Sequence, residues 1–210
     1  VSPSDKQPVL IVLHQEHSTP GRVGLRLRER GYALDIRRPR FGDPLPETMA
    51  DHAGAIVFGG PMSSNDDEDY LRREIDWLAV PLAEQAPLLG ICLGAQLMAK
   101  HLGATGAPRP DGLVEIGYYP LRATEAGEGL GPWPEIVYQW HGEGFELPSG
   151  AALLAEGQLY QNQAFQYGPA AFGFQFHVEL TLAMMHRWTT TGADRFTLPG
   201  AQPRAQHMEG

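Results

Sequence analysis

Three short apolar runs, VLIVLH at 9–14, AIVF at 55–58 and LLGI at 88–91, constrain the fold more than any other feature of the chain. Their length and near-continuous apolar character suit strands buried on both faces, as in a parallel sheet. ALDIRRP at 33–39 adds a further strand. Helical patterns separate them. STPGRVGLRLRERG places Val23, Leu25 and Leu27 among arginines, with Ser18 or Thr19 as the cap, Pro20 in the first turn and Gly31 as the stop. From Glu68 to Gln85, Leu71, Ile75, Leu78 and Leu82 fall on one helix face, and Pro81 should end or kink that helix near its last turn. Past Cys92 a helix starts with Leu93, Leu97 and the stem of Lys100 aligned, and Gly103 breaks it. Strands alternating with helices predict a layered α/β fold around a mostly parallel sheet.

Between 104 and 176 the pattern changes to an additional β-rich excursion: LVEIGYYPLRA, EIVYQW, AALLAE and AAFGFQF. EAGEGLGPWP at 125–134 reads as a loop and a possible flap. LTLAMMHRWTT at 180–190 predicts a closing helix with Leu182, Met185 and Trp188 on one face, and residues 199–210 read as a peripheral tail. The 210 residues are expected to form one domain.

Charge and cysteine content narrow the function classes. Sixteen basic against twenty-five acidic residues give a net charge of −9, and the only dense positive cluster is Arg37, Arg38 and Arg40, so a nucleic-acid partner is not expected. No apolar segment approaches the roughly 20 residues needed to span a bilayer, and VSPSDKQP at the start lacks the pattern of a secretory signal. One cysteine excludes an internal disulfide and a four-cysteine zinc site, which predicts a reducing, cytoplasmic setting. His14 and His17 flank Glu16 without the spacing of a zinc site. Phosphate-binding and dinucleotide-binding glycine motifs are absent, so neither metal nor cofactor is expected.

That single cysteine, Cys92, lies in Gly90-Ile91-Cys92-Leu93-Gly94, between the strand LLGI and a helix. The layout is that of a nucleophile elbow, which would present the sulfur at a helix N-terminus where a thiolate is favoured. A buried structural cysteine between packing glycines satisfies the same five residues. A thiol nucleophile needs a nitrogen base, and the base a group to orient it. His177 ends the apolar run AAFGFQF, and Glu179 follows at i+2, within reach of its ring if the backbone stays extended.

Taken together, these pieces resemble the class I glutamine amidotransferases. Gly90, Cys92, Gly94 and Gln96 match the elbow of their glutaminase domains. Gly173, Gln175, Phe176, His177 and Glu179 match the strand carrying the family's histidine and glutamate, with Val178 where proline is usual. Gly59, Gly60 and Pro61 match the upstream corner, and Trp140-His141-Gly142-Glu143 followed by Leu147-Pro148 is similar to a segment of the GMP synthetase glutaminase branch. The matches keep the family's order across about 9–190.

The resemblance implies a three-layer fold, with helices on both faces of the sheet, and a cysteine-dependent glutaminase. Cys92 would be the nucleophile, His177 its base and acid, and Glu179 the orienting carboxylate. The backbone N–H groups of Gly60 and Leu93 would form the oxyanion hole. Gln96, Tyr138, Trp140 and His141 would lie at the substrate. The substrate would be glutamine or another γ-glutamyl compound, such as a γ-glutamyl peptide. With only about 30 residues after Glu179, an ammonia-accepting synthetase would be a separate subunit. A non-catalytic interaction module on the same fold is the remaining reading.

Overall fold

A computed structural model describes residues 6–209, so the start of VSPSDKQP, residues 1–5, and Gly210 lie outside it. The elements run in the order β1 (Val9–Val12), α1 (Gly21–Glu29), β2 (Leu34–Arg37), β3 (Gly54–Val57), α2 (Asp69–Trp77), α3 (Ala79–Ala83), β4 (Leu88–Ile91), α4 (Leu93–His101), β5 (Gly106–Pro108), β6 (Glu115–Pro120), β7 (Arg122–Ala123), α5 (Glu125–Glu128), β8 (Ile136–His141), β9 (Glu143–Phe145), β10 (Ala152–Glu156), β11 (Asn162–Tyr167), β12 (Ala171–Phe174), α6 (Leu182–Thr191) and α7 (Arg204–Glu209). Eight strands form one sheet in the order β2-β1-β3-β4-β12-β11-β10-β7. The first five are mutually parallel and the last three extend the sheet antiparallel. Two ribbons, β5 with β9 and β6 with β8, make up the rest of the β-rich excursion.

The three apolar runs become the buried centre of this sheet. Alternate residues of β1 serve different layers: Val9, Ile11 and Leu13 pack with Val23 and Leu27 of α1, whereas Leu10 and Val12 join Leu71, Leu78, Leu97 and Met98 of the helical segments opposite. Helices therefore cover both faces, as the continuous apolar runs require. The carboxyl ends of β1, β3, β4 and β12 lie next to one another, and the chain leaves them at His14, Gly59, Cys92 and His177.

Three expectations need correction and one is met. Helix α1 starts with Pro20 at its N-cap and no side-chain cap; Ser18 and Thr19 lie upstream of it. The helix expected over 68–85 is interrupted as its Pro81 predicts, breaking at Leu78 into α2 and α3, because Pro81 has no N–H for the Trp77 carbonyl four residues earlier. Residues 125–134 are no flap over the candidate site: Thr124 caps α5, Gly127 packs on the Leu154 carbonyl of β10, and Trp133 Nε1 donates to the Gly127 carbonyl. Leu182 is 60% exposed, and α6 buries Met185 and Thr189 instead.

The expected tail is also docked. His207 is fully buried and its Nδ1 meets the Tyr138 hydroxyl at 2.9 Å, Gln202 bonds both backbone groups of Tyr118, and Val114 N–H donates to the Pro199 carbonyl. Met208 and the ring of His207 add packing against the Tyr138 cluster, but much of the docking is polar, so the segment's hydropathy gives little sign of it. No described helix is long and apolar enough to cross a membrane.

Candidate active site

Strand β4 delivers Cys92 through a turn that glycine makes possible. A Cβ on Gly90 would lie 2.6 Å from the Gly94 carbonyl group, and one on Gly94 would overlap the Val57 carbonyl oxygen. Strand and helix therefore approach as closely as two backbones can. Cys92 itself takes φ 51° and ψ −108°, a positive-φ conformation uncommon for a residue with a Cβ, and its N–H donates to the Phe174 carbonyl at 2.7 Å. The sulfur thus stands at the first turn of α4, whose leading N–H groups have no intrahelical acceptor.

His177 leaves the neighbouring strand at the same edge. Its backbone N–H is tied to the Tyr138 carbonyl at 3.0 Å, and its ring packs edge-on against Trp188, with centroids 4.7 Å apart. Nδ1 meets Glu179 Oε1 at 2.8 Å, and all three residues, Cys92, His177 and Glu179, are buried. Because the carboxylate accepts, Nδ1 is the donor. The other nitrogen, Nε2, makes no hydrogen bond of ordinary geometry, and Cys92 is the polar group in front of it. Burial by itself would lower the His177 pKa; the charges of Glu179 and Cys92 outweigh it and hold it above the usual imidazole range, at about 10. Glu179 is fixed in turn, since its backbone carbonyl accepts from Arg22 N–H at 2.8 Å. That approach leaves no room for a side chain at Gly21, which also has φ 49°.

Around this trio opens a cavity of about 1240 Å³, whose wall includes Gly59, Gly60, Gln96, Trp140, His141 and Glu143. A Cβ on Gly59 would sit 3.3 Å from Cys92 Cβ and 3.1 Å from His177 Cε1, so the corner after β3 directly faces the sulfur. Leu93 lies just behind, 3.1 Å from where a Cβ on Gly60 would be. Gln96 is buried, and its Nε2 donates to the Glu143 carbonyl at 2.9 Å and to Gln175 Oε1 at 3.2 Å. These bonds hold the 141–143 turn against α4.

A thiol, an imidazole and a carboxylate in a row, facing a glycine corner, suit acyl transfer. The sequence model described as "Glutamine amidotransferase class-I" matches residues 22–189. The chain belongs to the class I glutamine amidotransferase family. It is 32% identical over 185 residues to the glutamine amidotransferase-like protein YfeJ of Salmonella typhimurium, covering 83% of this chain and 76% of that one. It is 30% identical over 195 residues to the glutamine-hydrolyzing GMP synthase of Neisseria gonorrhoeae, covering 86% of this chain but only 34% of that longer protein. The crystal structure of a glutamine amidotransferase from Methylobacillus flagellatus superposes with a TM-score of 0.90 at 28% identity, over 97% of this chain and 86% of that one.

As a glutamine amidotransferase-family chain, it distributes the expected site residues unevenly. Cys92, His177, Glu179, Gly60, Gln96, Trp140 and His141 all border the cavity. Tyr138 does not: its ring is buried among Tyr118, Trp140, Trp188 and His207, and burial raises its hydroxyl pKa well above the ordinary value. Its carbonyl, not its phenol, serves the site. His141 has both nitrogens engaged, with Glu115 Oε2 and the Glu143 carbonyl, each at 2.9 Å, which makes it a support for the wall. His14 and His17 diverge, the first fully buried and the second exposed. Among the described residues no cluster of three His, Cys, Asp or Glu side chains is arranged for a metal ion.

The sequence reading missed Glu74, Gly21 and Trp188 as neighbours of the site. Glu74 had a visible signal, since it falls three residues after Leu71 and four before Leu78, on the stripe that should be apolar.

Proposed function

We propose that the protein is a cysteine-dependent γ-glutamyl amidohydrolase, with the glutaminase half-reaction of its family as the simplest form. The observation that carries this reading is the buried His177–Glu179 pair at 2.8 Å, with Nε2 turned to Cys92. His177 takes the thiol proton and the Cys92 thiolate attacks the γ-carbonyl carbon. The tetrahedral oxyanion is met by the N–H groups of Gly60 and Leu93. On collapse, the C–N bond breaks, His177 protonates the departing amine, and a γ-glutamyl thioester remains on Cys92. Water, deprotonated by the same imidazole, then attacks the thioester carbon; the C–S bond breaks, the proton returns to the Cys92 sulfur, and glutamate is released. Gln96 and Trp140 border the space for the glutamyl portion. The reaction is assigned to a reducing, cytoplasmic setting, where a single cysteine stays a thiol.

Two destinations for the amine follow. The match to GMP synthase covers only 34% of that relative's length, and that relative's name favours delivery of the ammonia to a synthetase. The cavity favours a second reading. At about 1240 Å³ it exceeds the roughly 300–1000 Å³ of ordinary small-ligand sites. Arg38, Arg40, Arg187 and Arg195 line it together with Glu16, Glu143, Glu179 and Asp194, yet none of the four arginines has a carboxylate within ion-pair distance among the described residues. Arg38 and Arg187 spend donors on the backbone carbonyls of Gln15, His17 and Ser18. In a chain of net charge −9, unpaired guanidinium groups around the mouth favour γ-glutamyl compounds whose leaving amine carries carboxylates.

Hydrolysis of glutamine, γ-glutamyl-glutamate and γ-glutamyl-lysine, measured side by side, tests both. A higher kcat/KM for γ-glutamyl-glutamate supports the acidic substrate class; glutamine turnover alone, rising when a synthetase is added, supports the partner. Hydrolysis unchanged in Cys92→Ala would overturn the amidohydrolase reading.

A further inference from the structure

Beneath the glycine corner lies an ion pair that the reaction above does not use. His14, two residues past the end of β1, and Glu74 on α2 are both completely buried, and Nε2 of the ring meets Oε1 of the carboxylate at 2.8 Å. On its other side, Nδ1 faces the Gly59 carbonyl oxygen at 3.2 Å. A carbonyl can only accept, so Nδ1 carries a hydrogen. Facing a carbonyl on one side and a carboxylate on the other, the ring donates to both neighbours; burial would lower the His14 pKa, but the Glu74 charge together with the hydrogen bonds to Glu74 and to the Gly59 carbonyl leaves it raised.

The carbonyl it holds belongs to the Gly59–Gly60 peptide. All described peptide bonds are trans, so the Gly60 N–H points away from the Gly59 oxygen, and thus away from the buried ring. Gly59 and Gly60 both border the cavity, whereas His14 and Glu74 do not. With glycine on both sides, this peptide has little steric resistance to turning over, and a flip would aim a carbonyl at a developing oxyanion. Packing stability gives a weak reason for the pair, because well-packed apolar side chains commonly replace a buried ion pair at no cost. Oε2 of Glu74 is also left without a partner, which is costly in a buried carboxylate.

We propose that His14, held by Glu74, is a positioning residue that pins the Gly59–Gly60 peptide with the Gly60 N–H facing the carbonyl attacked by Cys92. The inference rests on the thioester reading. It assigns the pair to preorganising one oxyanion donor rather than to binding substrate or moving its proton.

The test replaces the pair without stranding a charge. His14→Leu/Glu74→Leu should melt at or above the wild-type temperature. In stopped-flow acylation with γ-glutamyl-p-nitroanilide, it should lose about 10²–10³-fold in rate, the scale of one oxyanion donor. Its KM, and its rate of alkylation by iodoacetamide, which forms no oxyanion, should stay within about twofold. His14→Asn/Glu74→Leu restores a donor at the Nδ1 position and should recover most of the rate. A well-folded His14→Leu/Glu74→Leu variant that acylates at the wild-type rate would overturn the proposal. So would acylation and alkylation falling together, or no recovery with asparagine. Wild-type protein that alkylates but releases no p-nitroaniline would overturn the thioester reading, and the proposal with it.

Discussion

Ile91 and Phe174 are paired in register on the parallel strands β4 and β12, so Cys92 and His177 leave the same sheet edge one and three residues later. Two segments more than eighty residues apart thereby share one site, and the register, not either loop, sets their spacing. If His177 is the base and acid, His177→Ala should lower kcat by about 10²–10⁴-fold while changing KM little, since the ring touches the reacting atoms rather than the glutamyl group. Steady-state kinetics on a γ-glutamyl substrate check this, and a change confined to KM would argue against it.

The elbow also sets a mechanical limit. A methyl on Gly94 would overlap the Val57 carbonyl oxygen, and backbone on both sides gives it nowhere to go. Gly94→Ala should therefore destabilise the fold by about 1–3 kcal/mol, read as a lower urea midpoint at unchanged slope. Stability equal to the wild type would mean that α4 can slide away from β3.

Tyr138 separates support from contact. Among the described residues its hydroxyl meets His207 Nδ1 alone, at 2.9 Å, and its ring does not border the cavity. Tyr138→Phe should cost about 1 kcal/mol, lowering Tm by roughly 2–4 °C, and leave KM unchanged. A raised KM with no change in Tm would return Tyr138 to the substrate.

The His177–Glu179 pair makes stability depend on pH. In the unfolded chain His177 titrates near 6.5, whereas burial, more than offset by the combined charges and hydrogen bonds of Glu179 and Cys92, leaves it at about 10 in the fold. Between those values the folded state binds more protons, so this contribution is complete below about pH 6.5 and is lost as pH rises through about 10. Thermal melts across that window should show Tm falling in the wild type and falling less in Glu179→Gln. Identical slopes would contradict the assignment of the shift to Glu179.

How much of this was legible depended on whether a signal was local. Strands β1, β3 and β4 announce themselves as continuous apolar runs, and Cys92, His177 and Glu179 sit in motifs a few residues long. Strand β11 was missed because NQAFQY has neither the composition nor the alternation of a strand; its place comes from antiparallel pairing with β10 and β12. Helix α7 hides for a similar reason, since a buried histidine anchors it rather than an apolar stripe. His14 and Glu74 lie sixty residues apart and meet only because β1 ends beneath the corner after β3, with α2 packed alongside. No spacing in the chain encodes that meeting.

In this mechanism Cys92 carries the γ-glutamyl group between the two half-reactions. Acid-quenched protein, taken during turnover of γ-glutamyl-p-nitroanilide and analysed by intact and peptide mass spectrometry, tests it most directly. One added γ-glutamyl group is expected on the peptide containing Cys92, absent in Cys92→Ala and accumulating when deacylation is slowed. Turnover with no adduct at any time point, or an adduct that persists in Cys92→Ala, would contradict it.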